Sequence, residues 1–448
     1  MPIRSPLTNA NLCIVFAYAP AGLGHLRVTD ALRHGLPEET QPILLPQNSE
    51  SIKVIHTLTS RNPFGKRLME WAQKGIAEMI VTRVYRWMLR RDAKNLEEEI
   101  IKVLKQRVEL PQTLLVVATH FGLAHQISKI KKTLEKKANV KVLLVMQVTD
   151  DSPQKIWYVP NADMIAVPSD YTKRVLLAYS KAEKLESSSI RVLPYPISTR
   201  LSEKLLLAAK KHRRNQLNPD SSNSMNVIVP ISGAAVGTIF ADALIRELYK
   251  KNKRFFFHIV SKRGLYTDLF LQKLERKPYI ETFSSHSDRQ IVELYEQAYE
   301  RTVLSMEVTK PSEQAFKALF SPDQNGGVIL LFSSPVGRQE HDNIEYLKRH
   351  QLIPSDYEQQ TLHGWAEKKW KLTDAERRQV QGLAKNWRGL RLPTDPILAA
   401  SFIDWCHTQQ ILSWMGEAEP CSRGDSYCQK EVSSNGVKLF WTEVEKLL

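Results

Sequence analysis

The chain has 448 residues, 42% of them hydrophobic and 25% charged, a balance that fits a globular protein of two or three domains with a full core in each. No apolar stretch is long enough to span a bilayer, and four scattered cysteines make neither a zinc ribbon nor a disulfide framework. The 63 Lys+Arg against 48 Asp+Glu, net +15 and pI about 9.5, call for an anionic partner: nucleic acid, a phosphorylated metabolite or an acidic membrane surface.

Leu12-Cys13-Ile14-Val15-Phe16-Ala17-Tyr18 reads as a buried strand. It leads into Ala21-Gly22-Leu23-Gly24-His25, and a helical pattern, Val28-Thr29-Asp30-Ala31-Leu32, follows. Strand, glycine-punctuated turn and helix bring backbone N–H groups and a helix dipole to one place, where anionic ligands collect. The spacing is not the G-x-G-x-x-G of dinucleotide folds, because no third glycine follows Gly24 in place. His25 stands where a general base reaches a ligand in the same crevice. The plain alternative is a strand–helix turn with a chance histidine. The apolar run is too short for a signal peptide, and Cys13, Cys406, Cys421 and Cys428 fit a reduced, cytoplasmic chain.

Between 61 and 94 the cations Arg61, Lys66, Arg67, Lys74, Arg83, Arg86, Arg90, Arg91 and Lys94 outnumber the acids. Leu68, Trp71, Ala72, Met79, Ile80, Val84, Trp87 and Met88 recur among them at helical spacing. This basic amphipathic profile suits an anionic membrane surface. The competing reading is a helix whose apolar stripe packs on the core beneath a solvated basic face.

Thr113–Ala118, Val140–Met146, Met164–Val167 and Ile190–Leu193 are predicted strands, with a helix around His125 to Lys137. A βαβα order predicts an α/β fold with a parallel sheet covered on both faces. Lys210–Arg214 and the polar run Asn218–Ser224 read as a linker. The pattern then restarts with strands at Asn226–Ile231, Phe255–Val260, Thr302–Ser305 and Val328–Phe332. The expected division is 1–205, a first Rossmann-like domain; 206–225, a linker; 226–353, a second Rossmann-like domain; 354–416, helices; and 417–448, an irregular tail. Two such domains predict a ligand cleft where the carboxyl ends of both sheets meet.

Several landmarks in this order resemble the GT-B glycosyltransferases that act on lipid acceptors. The likeness is greatest to the monogalactosyl- and glucosyl-diacylglycerol synthases, and more distant to the peptidoglycan lipid-intermediate glucosaminyltransferase. It spans roughly residues 12 to 350. Gly22-Leu23-Gly24-His25 resembles their glycine-rich turn ending in histidine, and Thr119-His120-Phe121 their second short loop. Thr149-Asp150, Ile156-Trp157 and Val167-Pro168-Ser169 resemble their Thr-Asp, Trp and Pro-Ser series. Pro194-Tyr195-Pro196-Ile197 is similar to the segment closing their first domain, Thr309-Lys310-Pro311-Ser312 to their donor loop, and Gln339-Glu340 with Asn343 to their Gln-Glu-x-x-Asn element. Ser312-Glu313 replace the usual paired glycines, Ser232-Gly233-Ala234-Ala235 is poorer in glycine than its counterparts, and Gln154 stands where related glucosyltransferases carry histidine.

The resemblance implies an inverting transfer of a hexose from a nucleotide sugar, the co-substrate, to a lipid such as diacylglycerol by an enzyme peripheral to the membrane. It places His25 in the role of base, with Asp150 orienting it or the acceptor. Gly22, Gly24 and the backbone at Ser232-Gly233 would meet the donor, Lys310, Pro311 and Ser312 its diphosphate, and Glu313 its ribose. Gln339, Glu340 and Asn343 would meet its sugar, residues 339 and 343 sharing a helix face. Arg67, Trp71, Arg83, Arg86 and Trp87 would face the membrane and acceptor. A bound metal is not expected, although Asp150-Asp151 beside a phosphate is a magnesium-like setting. Bland readings stand beside these: His25 as a helix-start histidine, Lys310 as a solvated lysine, Glu313 as a first-turn carboxylate favoured by the dipole. Two other functions compete: a GT-B relative with a soluble acceptor or epimerase activity, and a non-catalytic anion- or nucleic-acid-binding protein. No nucleic-acid-binding motif appears, so a nucleic acid is not the expected partner.

Overall fold

A computed structural model describes residues 5–18, 23–45, 75–91, 93–107, 109–231, 237–332, 337–417 and 430–448. The chain divides into two units, Met1–Ser198 with Asn435–Leu448, and Thr199–Ser434.

The first unit is built on β1 (Leu12–Ala17), β2 (Ile43–Leu45), β3 (Thr113–Ala118), β4 (Lys141–Gln147), β5 (Met164–Val167) and β6 (Ile190–Val192). All pair in parallel, in the order β2-β1-β3-β4-β5-β6. Continuous apolar runs such as Leu114-Leu115-Val116-Val117-Ala118 are wholly buried, as strands covered on both faces require. The helices described are α1 (Leu23–His34), α2 (Gly75–Arg91), α3 (Ala93–Lys105), α4 (Phe121–Ala138) and α5 (Asp170–Ala182). Their inward residues, among them Leu96, Ile100, Ile127 and Leu176, share one core with Val15, Val116 and Leu144 of the sheet.

The second unit opens with α6 (Leu207–Leu217) and repeats the plan. Its strands are β7 (Met225–Pro230), β8 (Phe255–Lys262), β9 (Ile280–Ser285), β10 (Met306–Thr309), β11 (Val328–Phe332) and β12 (Gly389–Leu392). They too are all parallel, in the order β12-β11-β10-β7-β8-β9. Counted from β7, this is 6-5-4-1-2-3, the Rossmann order. Helices α7 (Thr238–Lys251), α8 (Asp268–Glu275), α9 (Asp288–Arg301) and α10 (Arg338–Arg349) connect the strands. The helices α11 (Asp356–Glu367), α12 (Asp374–Ala384), α13 (Pro396–Thr408) and α14 (Ile411–Met415) follow. Reciprocal capping boxes, Ser355 with Glu358 and Thr373 with Glu376, start α11 and α12. The expected α/β class, with two Rossmann-like sheets and C-terminal helices, is the observed one.

Several elements differ from the sequence expectation. The strand expected at Thr302–Ser305 lies at Met306–Thr309 instead. Thr302 caps α9, while the Val303 and Leu304 carbonyls accept bonds from Gln216 and Arg213. The charge of Glu307 hides the true strand. Part of the expected linker is the helix α6, whose Arg213 is buried with its guanidinium on the carbonyls of Leu304, Pro322 and Gln324. Strands β2, β9 and β12 were not expected. The tail is not irregular throughout, because α15 (Gly436–Glu445) packs on the first unit. Trp441 donates from Nε1 to the Leu32 carbonyl at 2.9 Å and meets Phe16 edge-on, so this helix backs the one that carries His25.

The entry into α15 depends on a close approach. A Cβ at Gly436 would meet the carbonyl oxygens of Pro194 and, at 2.5 Å, Tyr195. These backbone atoms lie at the end of β6 and cannot step aside as a side-chain tip can. Gly436→Ala is therefore expected to cost about 2 kcal/mol, read as a lowered midpoint in chemical unfolding. A wild-type midpoint would show that α15 docks more loosely than described.

Candidate functional site

In a parallel sheet, the chain leaves two neighbouring strands toward opposite faces wherever the strand order reverses, and a crevice opens beyond their carboxyl ends. Each unit has one such point. In the first it lies between β1 and β3, in the second between β7 and β10. Of the described residues singled out from sequence, Gly24, His25 and Asp150 lie near the first reversal, and Lys310, Pro311, Ser312, Glu313, Glu340 and Asn343 near the second.

At the first reversal, β1 ends at Ala17 and β3 at Ala118. Gly24 and His25 are helical, in the first turn of α1, rather than in the turn itself. The His25 ring places Nδ1 2.8 Å from the Thr119 carbonyl oxygen and 3.4 Å from the Thr149 hydroxyl. A carbonyl only accepts, so the neutral ring carries its proton on Nδ1 and its lone pair on Nε2. The backbone below is tied by Thr29, whose hydroxyl lies 2.8 Å from both the His25 carbonyl and the Thr119 hydroxyl. The His120 ring stands edge-on to His25 at 5.2 Å, and the buried Trp157 ring lies 6.3 Å away. Asp150 is buried one residue beyond Thr149 and accepts from the Ser152 N–H at 3.0 Å. Asp151 takes the hydroxyls of Ser169 and Thr172, and so is tied to the start of α5. Thr29, Thr119 and Thr149 fix the His25 ring and its backbone, a role not evident from the sequence. Their signal is weak, because threonine beside a strand end is common.

At the second reversal, β7 ends at Pro230, and α7 begins after Gly237, which has φ +88°. β10 ends at Thr309 and leads through Lys310-Pro311-Ser312 into a 3-10 helix, Glu313–Leu319. Lys310 is no solvated lysine: its Nζ lies 3.1 Å from Oε1 of Glu340, and both side chains are mostly buried. Asn343 is almost wholly buried and donates from Nδ2 to the Pro311 carbonyl at 3.1 Å. Thus Lys310, Pro311, Glu340 and Asn343 come together as expected, but Asn343 holds the loop with its amide. Residues 339 and 343 stand one turn apart on α10, as expected of i and i+4, but they differ in burial. α10 buries Glu340, Asn343, Ile344 and Leu347, and this leaves Gln339 exposed. Glu313 is half-buried at the head of the 3-10 helix.

Gly22, Ser232, Gly233, Arg67 and Trp71 lie outside the described residues. In the described part of the basic amphipathic segment, α2, Met79 packs on the core, but several polar side chains are buried and several apolar ones exposed. Glu78, Thr82 and Arg86, spaced by four, are buried, while Val81, Val84, Tyr85, Trp87 and Met88 are exposed. Arg86 is therefore not the surface cation expected from sequence, because its Nη2 donates to the Tyr179 hydroxyl. Arg83 stays outside, on Glu183, with two nitrogen–oxygen distances of 2.6 and 3.0 Å. Trp87 is 58% exposed, with the Arg91 guanidinium 4.5 Å above its ring. Among the described residues, no helix is long and apolar enough to cross a membrane.

No protein-family model matches this chain, and no curated protein matches it. Solved structures with a similar trace include MurG from Acinetobacter baumannii, 10% identical, covering 97% of this chain and 99% of that one at TM-score 0.46. UDP-GlcNAc 2-epimerase from Neisseria meningitidis bound to UDP-GlcNAc is 12% identical over 97% and 99% at 0.45. Anabaena Alr3699/HepE with UDP and glucose is 11% identical over 97% and 99% at 0.43. Likenesses this distant assign no function.

Behind the first site, His125 is buried in α4 with Nε2 2.9 Å from the Ile156 carbonyl. Burial, reinforced by the Arg86 and Arg90 charges and opposed by that hydrogen bond, pushes its pKa down to about 3. In the unfolded chain a histidine binds its proton near 6.5. Between pH 6.5 and 3 the unfolded state therefore holds the extra proton, and stability falls as pH falls through this window. His125→Gln is expected to shrink the stability lost between pH 7 and pH 5 by about 2 kcal/mol, measured by urea unfolding at both pH values. An unchanged loss would show that the buried imidazole does not govern this acid sensitivity.

Proposed function

We propose that the protein is a GT-B-type glycosyltransferase that moves a hexose from a uridine diphosphate sugar to the hydroxyl of a lipid at a membrane surface. The observation that carries this reading is the coincidence of the two predicted site loops with the two strand-order reversals. A chance histidine would not be expected at one reversal while a Lys-Pro loop, pinned from α10, occupies the other.

The reaction needs an acceptor deprotonated as it attacks, and a diphosphate stabilised as it leaves. His25 takes the acceptor proton on Nε2. The Thr119 carbonyl holds the opposite nitrogen and so fixes the tautomer that acts as a base. The acceptor oxygen bonds to the anomeric carbon from the face opposite the diphosphate, and the carbon–oxygen bond to the diphosphate breaks with its electron pair. One displacement inverts the anomeric centre. The second unit receives the diphosphate at the β7 and β10 loops, where the start of α7 supplies N–H groups and a positive dipole end. Lys310, paired with Glu340, brings ammonium protons with little net charge. Its role is to direct hydrogen bonds more than to attract anions from a distance.

The lipid arm rests on α2. An exposed row of Val81, Val84, Trp87 and Met88 with Arg91 beside it suits the interface of an anionic bilayer, aromatic and apolar groups entering and cations meeting headgroups.

His25→Ala is expected to keep uridine diphosphate binding by calorimetry while transfer of labelled sugar falls 100- to 10,000-fold, about the share of a general base. Full turnover by that variant would remove His25 from the mechanism. Trp87→Ser with Met88→Ser is expected to reduce co-sedimentation with anionic liposomes several-fold without changing the melting temperature, and salt should weaken the wild-type binding. Salt-sensitive oligonucleotide binding without liposome binding would instead favour a nucleic-acid-binding protein.

A further inference from the structure

A buried ion pair lies beneath the Lys310 loop. Glu307 on β10 is fully buried and accepts from the hydroxyls of Tyr295, at 2.7 Å, and Tyr299 on α9, and from Nζ of Lys317. The Lys317 ammonium also lies 4.4 Å from the centre of the Tyr295 ring and 5.6 Å from that of Tyr299. Two residues along the strand, Thr309 donates its hydroxyl to Oε1 of Gln314. Removing a carboxylate and an ammonium from water is costly, and apolar residues of similar volume commonly stabilise a core as well or better. The pair therefore calls for a role beyond filling space.

Its geometry supplies one. Residues 307 and 309 share a face of β10, because strand side chains alternate. Residues 314 and 317 eclipse one another in a 3-10 helix, where i and i+3 coincide. Two strand residues advance about 6.6 Å and three 3-10 residues about 6 Å, so the two rungs, Thr309–Gln314 and Glu307–Lys317, match in length. Three residues of an α-helix would advance only about 4.5 Å and leave the rungs unequal. A 3-10 run of seven residues is also long for this weak helix and needs anchoring from outside.

We infer that Glu307 and Lys317 form a positioning pair that holds Glu313–Leu319 in 3-10 form and thereby sets the Lys310-Pro311-Ser312 loop for the donor. The ligand side of this inference rests on the function proposed above, while the geometric side does not. The pair touches no substrate. It works through the strand-to-helix turn, which Asn343 and Glu340 tie from the other side.

The test is the double variant Glu307→Gln with Lys317→Met, which removes both charges and keeps an acceptor for the tyrosines. Thr309→Val, which cuts the other rung with one hydroxyl, covers the case in which the double variant fails to fold. Amide hydrogen exchange and calorimetric binding of uridine diphosphate are measured on the full chain at matched distance below each melting temperature. Exchange over 310–317 is expected to quicken at least tenfold, with the β7, β8 and β11 amides unchanged, and the dissociation constant to rise at least tenfold. Wild-type exchange over 310–317, or quickened exchange with unaltered affinity, overturns the inference. If wild-type protein does not bind the nucleotide at all, the proposed function falls, and the exchange measurement alone still decides whether the pair sets the turn.

Discussion

A parallel sheet cannot cover both of its faces without reversing its strand order, and the reversal leaves a crevice that no strand can fill. The function proposed for this protein depends on that constraint. In the first unit, β1 is flanked by β2 and β3, and in the second, β7 by β8 and β10. The backbone that leaves these strands has N–H and C=O groups no longer used by the ladder, and in open α/β sheets the carboxyl ends are where polar ligands are generally received. The buried apolar strands of both sheets fix where these ends lie.

What distinguishes the two reversals is how their polar groups are fixed. In the first unit, the histidine is oriented by a carbonyl and a threonine hydroxyl. A carbonyl partner sets the tautomer without the permanent charge that a carboxylate would bring. In the second, the polar groups are mostly spent on one another. Lys310 meets Glu340, Asn343 meets Pro311, and Thr309 meets Gln314. A buried loop so tied has few conformations to lose when a ligand binds, so less binding energy is consumed in ordering it.

The α/β class and most strands were legible in sequence because a strand buried on both faces is a continuous apolar run, and Thr113–Ala118 and Val328–Phe332 match their observed spans. What sequence hid were strands whose polar residues have partners distant in the chain. Met306–Thr309 carries Glu307, whose carboxylate reads as surface until Lys317 and two tyrosines meet it. Edge strand β9 exposes Glu281, and short β12 carries a half-buried Arg391. At the site, Lys310, Glu340 and Asn343 were legible as a group because they lie on a loop and a helix turn with recognisable spacing. Their mutual bonding was not, since a composition pattern does not say which donor meets which acceptor. The burial of Arg86 on α2 was hidden for the same reason. Arg86 looks solvated until Tyr179 is brought to it from elsewhere in the chain.

The proposed function is tested most directly by a crystal structure of the protein with uridine diphosphate. It predicts the diphosphate at the carboxyl ends of β7 and β10, within hydrogen-bonding reach of the Lys310–Ser312 backbone and the start of α7. A nucleotide bound at the amino ends of the strands, or a saturating soak that leaves those loops empty, would contradict it.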